Sequence, residues 1–404
     1  MTYLGASANV RTAADQAQRR HVGRLRLLLV GSVVGALLAV SAPAVGAAGD
    51  AGYIVILKDA KSSSAAVAKE HGKRYGVSAS QVYAHALRGY AARLDASQLR
   101  SVKADRSVAM VVPDGVATID ETQTGATWGI DRIDQRKLPL SGSFTYSNTG
   151  AGVTAYVIDT GIRVSHTEFG GRASSGWDFV DNDADASDCN GHGTHVAGTI
   201  GGATYGVAKG VDLVAVRVLD CFGSGLWSGI IAGIDFVTAQ HQAGEPAVAN
   251  MSLGGGANVA VDRAVKNSIA DGVAYAVAAG NSNAPACIFS PARVPEAMTS
   301  GASTITDAKA SFSNFGSCMD WFAPGQAITS AWRTSDTATN TLNGTSMASP
   351  HTAGVAALFL QSNPTAAPAT VQKALASSAT TKQITGIDRR FYPGTANLLL
   401  FTDR

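Results

Sequence analysis

Val153-Thr154-Ala155-Tyr156-Val157-Ile158-Asp159-Thr160-Gly161 is an apolar, β-rich run that stops on a carboxylate and a glycine. Near-continuous apolar runs of this length are expected of strands buried on both faces of a parallel sheet. Three more follow, at Val211 to Val218, Ala247 to Met251 and Val273 to Ala278. Helix-like stretches lie between them, such as Ser228 to Gln240 and Val259 to Asp271. From Trp128 onward the pattern therefore predicts an α/β architecture, a mainly parallel sheet with helices on both faces. In open parallel sheets the working residues sit just beyond the carboxyl ends of strands, where Asp159 stands.

Ahead of this lies a different pattern. Tyr53 to Leu57 reads as a strand, and Ser62 to Tyr75 as a helix stopped by Gly76. Gln81 to Leu94 reads as two paired strands around Gly89, Ser97 to Lys103 as a short helix, and Val108 to Val112 as a last strand. That order predicts a small α+β, ferredoxin-like domain. Asp114 to Thr127 reads as an exposed connector, a suitable place for cleavage. Still earlier, Arg19, Arg20, Arg24 and Arg26 precede the uncharged run Leu27 to Val40, and Ala42, Ala44 and Ala47 follow. This is the pattern of a secretory signal peptide, longer than usual in its first twenty residues. A membrane anchor needs about 20 mostly apolar residues, and here the run turns small and Gly-rich after Val40. The expected domains are a signal peptide at 1–47, a small domain at 48–121 and a mature domain at 122–404.

The whole chain has 404 residues, 46% hydrophobic and 15% charged, with a net charge of +2. Disorder needs low hydrophobicity and high net charge, and nucleic-acid binders carry a basic excess or stripe. Neither describes this chain. The four cysteines, Cys189, Cys221, Cys287 and Cys318, allow three pairings. Intervals of 32 and 31 residues suggest two local loops, each stabilised by roughly 3–4 kcal/mol through restriction of the unfolded chain. Disulfides agree with export, and the spacing is unlike a zinc site.

Four short strings carry candidate chemistry. Asp-Thr-Gly also occurs in aspartic proteases, which need two such carboxylates; here the tripeptide occurs once. His192, in Gly191-His192-Gly193-Thr194-His195, stands at a predicted helix start. His192 and His195 lack the intervening Glu of a zincin, and His195 reads as a hydrogen-bonded core histidine. Ser346, in Gly344-Thr345-Ser346-Met347-Ala348-Ser349-Pro350, stands at a second helix N-terminus, because Pro350 suits a first turn and breaks a helix interior. An ordinary N-cap serine is the alternative, and Ser349 is the local competitor. Asn281, in Ala278-Ala279-Gly280-Asn281, offers a side-chain N–H to a developing oxyanion or simply makes a turn.

The order Asp, His, Ser is that of subtilisin. On Tyr156 to Ile162, Asn190 to Gly198, Asn250 to Gly256, Ala278 to Asn281, Ser311-Phe312-Ser313-Asn314-Phe315-Gly316 and Leu342 to His351, the sequence resembles the subtilisin-like serine proteases. Within them it resembles the proteinase K group, most closely its aqualysin-type secreted enzymes. The likeness runs from Trp128 to near the end. The small domain resembles the inhibitory propeptide of these enzymes, so the resemblance implies a self-processing zymogen. It implies a secreted, extracellular, monomeric endopeptidase acting on protein or peptide substrates. Nucleic acid, a stable membrane anchor and an organic cofactor are not expected.

The resemblance assigns Ser346 as nucleophile, His192 as general base, Asp159 as its orienter and Asn281 as oxyanion donor. Substrate lies between Ser252-Leu253-Gly254 and Gly223-Ser224-Gly225, with Ala278, Ala279 and Gly280 beside a side-chain pocket. Gly223-x-Gly225 also begins a dinucleotide fingerprint, but the third glycine, Gly229, falls one place late. No carboxylate marks a trypsin-like pocket, so specificity is expected to be broad or apolar. Calcium is the expected ion. Asp178, Asp181, Asp183, Asp185 and Asp188 crowd one loop, which suits Ca²⁺ and equally suits a solvated acidic loop. The resemblance selects Asp178 and Asp183, a site at Asp131, Asp134 and Gln135 where Ser141 and Ser143 replace stronger ligands, and the carbonyls of Pro295 and Ala297 with Asp320. Two sequons, Asn343-Gly344-Thr345 and Asn250-Met251-Ser252, sit inside these strings. The rival readings are a catalytically dead binding module on the same fold, and an esterase or acyltransferase.

Overall fold

The computed structural model describes residues 51–58, 62–85, 87–114 and 121–402. The expected leader and connector residues 115–120 lie outside them. The chain divides into two units, one up to residue 116 and one from residue 117.

The first unit holds β1 (Ala51–Leu57), α1 (Ser64–Tyr75), β2 (Ala79–Tyr83), β3 (Gly89–Leu94), α2 (Ala96–Ala104) and β4 (Val108–Pro113). Its sheet runs β2-β3-β1-β4 with every neighbouring pair antiparallel, the ferredoxin-like order expected. Gly76, at φ +70°, ends α1 in the left-handed conformation that glycine adopts without a Cβ penalty. A capping box between Asp95 and Gln98 starts α2. Val55 and Leu57 alternate onto the helix side of the sheet, where they meet Val67, Tyr90 and Val102.

The second unit opens with β5 (Glu121–Thr124), α3 (Trp128–Ile133), β6 (Ser143–Tyr146), β7 (Thr154–Asp159), β8 (Ala173–Asp178), α4 (His192–Gly201), β9 (Asp212–Arg217), α5 (Trp227–Gln240) and β10 (Ala247–Met251). It continues with β11 (Gly255–Gly256), α6 (Val259–Asp271), β12 (Ala274–Ala278), β13 (Phe289–Ser290), β14 (Met298–Ser303), β15 (Trp321–Pro324), β16 (Ile328–Ala331) and β17 (Thr339–Leu342). It ends with α7 (Thr345–Ser362), α8 (Pro368–Ser378), β18 (Thr380–Thr381) and β19 (Leu398–Leu399).

Nine strands form one sheet in the order β18-β19-β15-β14-β12-β10-β7-β9-β8. All its pairs are parallel except β18 with β19. Alternate side chains feed two cores. Val157, Val248 and Ala276 point to the layer of α4 and α7. Tyr156, Ile158, Met251 and Tyr275 point to the layer of α5 and α6. Both faces are covered, which is why these strands read as unbroken apolar runs.

Two expectations are corrected. The connector is not wholly exposed coil: from Glu121 it is strand β5, paired antiparallel with β6 (Thr122 opposite Thr145), and Ala126 packs on the core. Its polar residues, Glu-Thr-Gln-Thr, hid an edge strand held by backbone bonds. Pro350 lies inside α7, beyond its first turn. A proline there leaves the carbonyl four residues earlier, Ser346 O, without a helical donor. The hydroxyl of Ser252, just past β10, donates to that carbonyl at 2.7 Å instead.

Candidate active site

Asp159 is the last residue of β7 and is fully buried. Its Oδ1 accepts from the Thr160 backbone N–H at 2.8 Å and from His192 Nδ1 at 2.7 Å. A carboxylate only accepts, so Nδ1 must carry the proton, and Nε2 is left with its lone pair. Asp159 Oδ2 is buried and meets no donor among the described residues. Burial lowers the His192 pKa, but the charge of Asp159 and its hydrogen bond, with Asp188 further off, outweigh burial and hold the net pKa above its ordinary 6.5.

His192 is the first residue of α4, as expected. The residue that fixes it there is Asp188. Its Oδ1 accepts from Thr160 Oγ1 (3.0 Å), Asn190 N (2.9 Å) and Gly191 N (2.7 Å). Its Oδ2 accepts from Thr194 N (2.9 Å) and Thr194 Oγ1 (2.6 Å). Asp188 is thus a clasp around the helix start rather than a member of an acidic ion site. A carboxylate four residues before the helix is the available signal, and the crowd of other aspartates masks it. His195 is buried, bonds Ile328 O through Nε2 at 2.9 Å, and is held near pKa 4 by burial. It is the core histidine expected.

Ser346 is the second residue of α7. Its hydroxyl donates to Ser252 O at 3.1 Å, while Ser252 Oγ returns a bond to Ser346 O. Ser349, the competitor, is fully buried and donates to Asn250 Oδ1 at 2.7 Å. It has no access to a substrate. Asn250 is buried as well, which rules out glycosylation at that sequon. Asn281 follows β12, and its Oδ1 accepts both Thr345 N (2.8 Å) and Thr345 Oγ1 (2.9 Å). That bond pair turns its amide N–H₂ away from Thr345, and a Cβ placed on Gly344 would lie 3.5 Å from Asn281 Nδ2. Thr345, which sequence reasoning passed over, fixes the amide.

These groups border two hollows. A cleft of about 600 Å³ is lined by His192, Gly223, Ser224, Gly225, Ser252, Leu253 and Gly254, together with Trp227 and Phe222. A smaller pocket of about 160 Å³ is lined by Ala278, Ala279, Gly280, Asn281, Ser346 and Phe289. Leu253, Gly254 and Gly255 line both hollows. No charged side chain lines the smaller one. Trp227 packs against Gly255, where an added Cβ would meet its ring at 2.7 Å. Cys189 pairs with Cys221 and Cys287 with Cys318. The first bridge ties the loop before His192 to the 220–225 edge, and Asn190 Nδ2 adds a bond to Cys221 O at 2.9 Å. Asp220 Oδ1 then shapes that edge by accepting from Phe222 N (2.9 Å) and Ser224 N (3.0 Å).

The three expected calcium sets differ in fitness. Pro295 O, Ala297 O and Asp320 Oδ1 converge on one point, where Gln372 Nε2 stands at 3.2, 3.3 and 3.1 Å. Burial raises the Asp320 carboxyl to about 6 against the pull of Thr299 N–H and the Gln372 amide. An all-oxygen set around a buried carboxylate fits a hard cation, provided Gln372 turns aside. Asp178 does not fit: its Oδ1 accepts from Val180 N and Asp181 N, and its Oδ2 is taken by Arg217, which also bonds Asp181 at 2.7 Å. Its partner Asp183 accepts from Asp185 N at 2.9 Å. Asp131 does not fit either. Its oxygens accept from Ser141 N (3.1 Å), Ser141 Oγ (3.0 Å) and Gly142 N (2.7 Å). Thr145 N donates to Asp134, and Ser141 N to Gln135 Oε1. Hydroxyls and backbone N–H groups complete that loop.

Among the described residues, no helix is long and apolar enough to cross a membrane. The Subtilase family model matches residues 150–394, and the Peptidase inhibitor I9 model matches residues 52–120. An extracellular serine proteinase of Thermus sp. (strain Rt41A) is 57% identical over 327 residues, spanning 81% of this chain and 78% of that protein. Alkaline serine exoprotease A of Vibrio alginolyticus is 53% identical over 334 residues, spanning 81% of this chain and 61% of that protein. The crystal structure of a cold adapted subtilisin-like serine proteinase superposes with a TM-score of 0.67 at 55% identity, covering 70% of this chain and all of that one. With a peptidase fold that carries these matches and an inhibitor domain ahead of it, the chain belongs to the subtilase family of serine peptidases.

Proposed function

We propose that the chain is a secreted serine endopeptidase made as a self-processing precursor, with Asp159, His192 and Ser346 as its triad. The observation that carries this reading is the 2.7 Å bond from His192 Nδ1 to the buried Asp159, at a cleft lined by His192 and Ser252 to Gly254, where Ser252 O also accepts the Ser346 hydroxyl at 3.1 Å. For attack, the Ser346 hydroxyl turns from Ser252 O to His192 Nε2. His192 takes its proton, Oγ bonds to the substrate carbonyl carbon, and the imidazolium is stabilised by Asp159. Asn281 Nδ2 and the Ser346 backbone N–H stabilise the oxyanion at the start of α7, where the helix dipole favours negative charge. His192 then protonates the leaving amine, and water repeats the sequence to release the acid.

An extended substrate adds as a strand between the 223–225 and 252–254 edges, because β-addition reads the main chain and leaves side chains to pockets. The smaller hollow, walled by Ala278, Ala279 and Phe289, favours an apolar or broad preference. The proposed segments are a signal peptide at 1–47, an inhibitory and chaperoning propeptide at 48–121, and a monomeric mature enzyme at 122–404, exported like the relative named extracellular. Calcium, where bound, would be held by Pro295 O, Ala297 O and Asp320, and would stiffen the join between β14 and β15. The test is mass spectrometry of secreted protein labelled by an organofluorophosphonate, with casein hydrolysis in parallel. A label on Ser346 with hydrolysis supports the reading. No label points to a dead module, and a label without endopeptidase activity points to an esterase or acyltransferase.

A further inference from the structure

We infer that Asn314 is a positioning residue that fixes the loop bearing the oxyanion donor Asn281; the inference rests on the role proposed for Asn281 above. The loop from Ala279 to Ala284 has little shape of its own. Gly280 sits at φ +99° and Asn283 at φ +46°, so left-handed residues stand on both sides of Asn281. Some other part of the molecule must impose that path.

Asn314, fully buried, reaches the loop from inside. Its Oδ1 accepts Ser282 N at 2.9 Å and Ala284 N at 3.0 Å. Its Nδ2 donates to Ala279 O at 2.8 Å, and its backbone N–H donates to Gly280 O at 2.9 Å. One residue therefore bonds two positions before Asn281 and two after it, and leaves Asn281 itself free. The approach is close: a Cβ on Gly280 would stand 2.4 Å from Asn314 Nδ2. Asn281 is then gripped from two directions, its backbone span by Asn314 and its Oδ1 by Thr345.

The clasp needs an acceptor with two lone pairs and a donor on one short, planar side chain. Aspartate would keep the two acceptor bonds, lose the bond to Ala279 O, and bring a negative charge close to the forming oxyanion. Alanine would release the loop while leaving Asn281 in the sequence. Misplacement of a catalytic group by about 1 Å costs up to ~10²-fold, and full loss of an oxyanion donor costs about 10²–10³-fold.

The experiment uses full-length chains carrying Asn314→Ala, Asn314→Asp, Asn281→Ala and the pair Asn314→Ala with Asn281→Ala. Each is matured with a trace of immobilised wild-type enzyme and its sites counted by organofluorophosphonate labelling. The expected result on a peptide nitroanilide is a fall in kcat of about 10–100-fold for Asn314→Ala, with KM within about threefold. In the Asn281→Ala background the same change is expected to add less than about threefold, because the group it positions is gone. If Asn314→Ala does not fold, Asn314→Asp, which keeps the acceptor bonds to Ser282 N and Ala284 N, carries the test, with a kcat fall expected and the lower melting temperature that its buried charge brings read separately. A full additional loss in the Asn281→Ala background, or a change in melting temperature with kcat intact, overturns the inference. A wild-type chain that hydrolyses nothing overturns the reading beneath it and the inference together.

Discussion

His192 carries the most direct consequence of the site's electrostatics. In its proposed role it acts as a base only when neutral, and its pKa lies above 6.5 because the Asp159 charge outweighs burial. Activity is therefore expected to fall as pH drops through that raised value, with a limb in kcat/KM that titrates above 6.5. Stability moves in the opposite sense. A histidine whose folded pKa is raised contributes stability below its unfolded pKa and loses that contribution as pH rises through the folded one. A kcat/KM profile with no acid limb in the histidine range would remove His192 as the base, and a limb below 6.5 would overturn the raised pKa. The second residue-level expectation concerns Asn281. Replacement by alanine should lower kcat by about 10²–10³, the cost of one oxyanion donor in a related enzyme, with little change in KM. An equal loss in KM alone would reassign Asn281 to substrate binding.

At the scale of elements, the proline within α7 sets an unusual demand. Ser346 O has no N–H from position 350 and relies on the Ser252 hydroxyl. Ser252→Ala is expected to cost about 1–3 kcal/mol, the cost of orphaning a buried acceptor. Pro350→Ala in that background supplies the missing N–H, and should recover part of the loss, less about 0.4–1 kcal/mol for the freer unfolded chain. Urea melts of the two variants check both. The Cys189–Cys221 bridge joins elements too, and opening it should cost roughly 2–5 kcal/mol. Because it holds the 220–225 edge, KM is expected to rise before kcat falls.

The elements legible in the sequence were those whose burial shows as composition. Ala247–Met251 and Val259–Asp271 were read to the residue, because a strand covered on both faces is unbroken apolar and an amphipathic helix repeats. Strand β14, Met-Thr-Ser-Gly-Ala-Ser, is fully buried but has neither an apolar run nor an alternation to mark it. Two of its hydroxyls bond beyond the strand, Thr299 Oγ1 to Ala292 O and Ser300 Oγ with Thr352 Oγ1, while Ser303 Oγ meets no partner among the described residues, and no local pattern encodes such contacts. The same limit hid Asp188 among the other aspartates: its role depends on Thr160 and Thr194, which only the fold brings to it. Asp159, His192, Ser346 and Asn281 were legible because each follows a strong strand or opens a strong helix.

For the whole molecule, processing is the decisive expectation. Ser346→Ala, expressed in a protease-free system, should remain at precursor size. Maturation of that variant to the wild-type length would remove self-cleavage from the proposal. Strand β5 narrows where the cut falls: pairing with β6 holds the residues from Glu121 to Thr124, so a cut no later than the proposed 121/122 boundary, with a mature N-terminus at or before Thr122, is expected from peptide mapping. Heating curves in calcium and in chelator address the Asp320 cage, and Gln372→Ala should enlarge the difference by clearing the point where its amide stands.

The grip on the start of α7 comes from far along the chain: Thr345 is held by Asn281, Ser346 by Ser252 and Ser349 by Asn250. Those anchors sit on β10 and just past β10 and β12, so the cutting centre exists only after the middle of the sheet has assembled. A nascent or half-collapsed polypeptide is consequently harmless to its neighbours, and the hazard of a serine peptidase appears only at the last stage of its own construction.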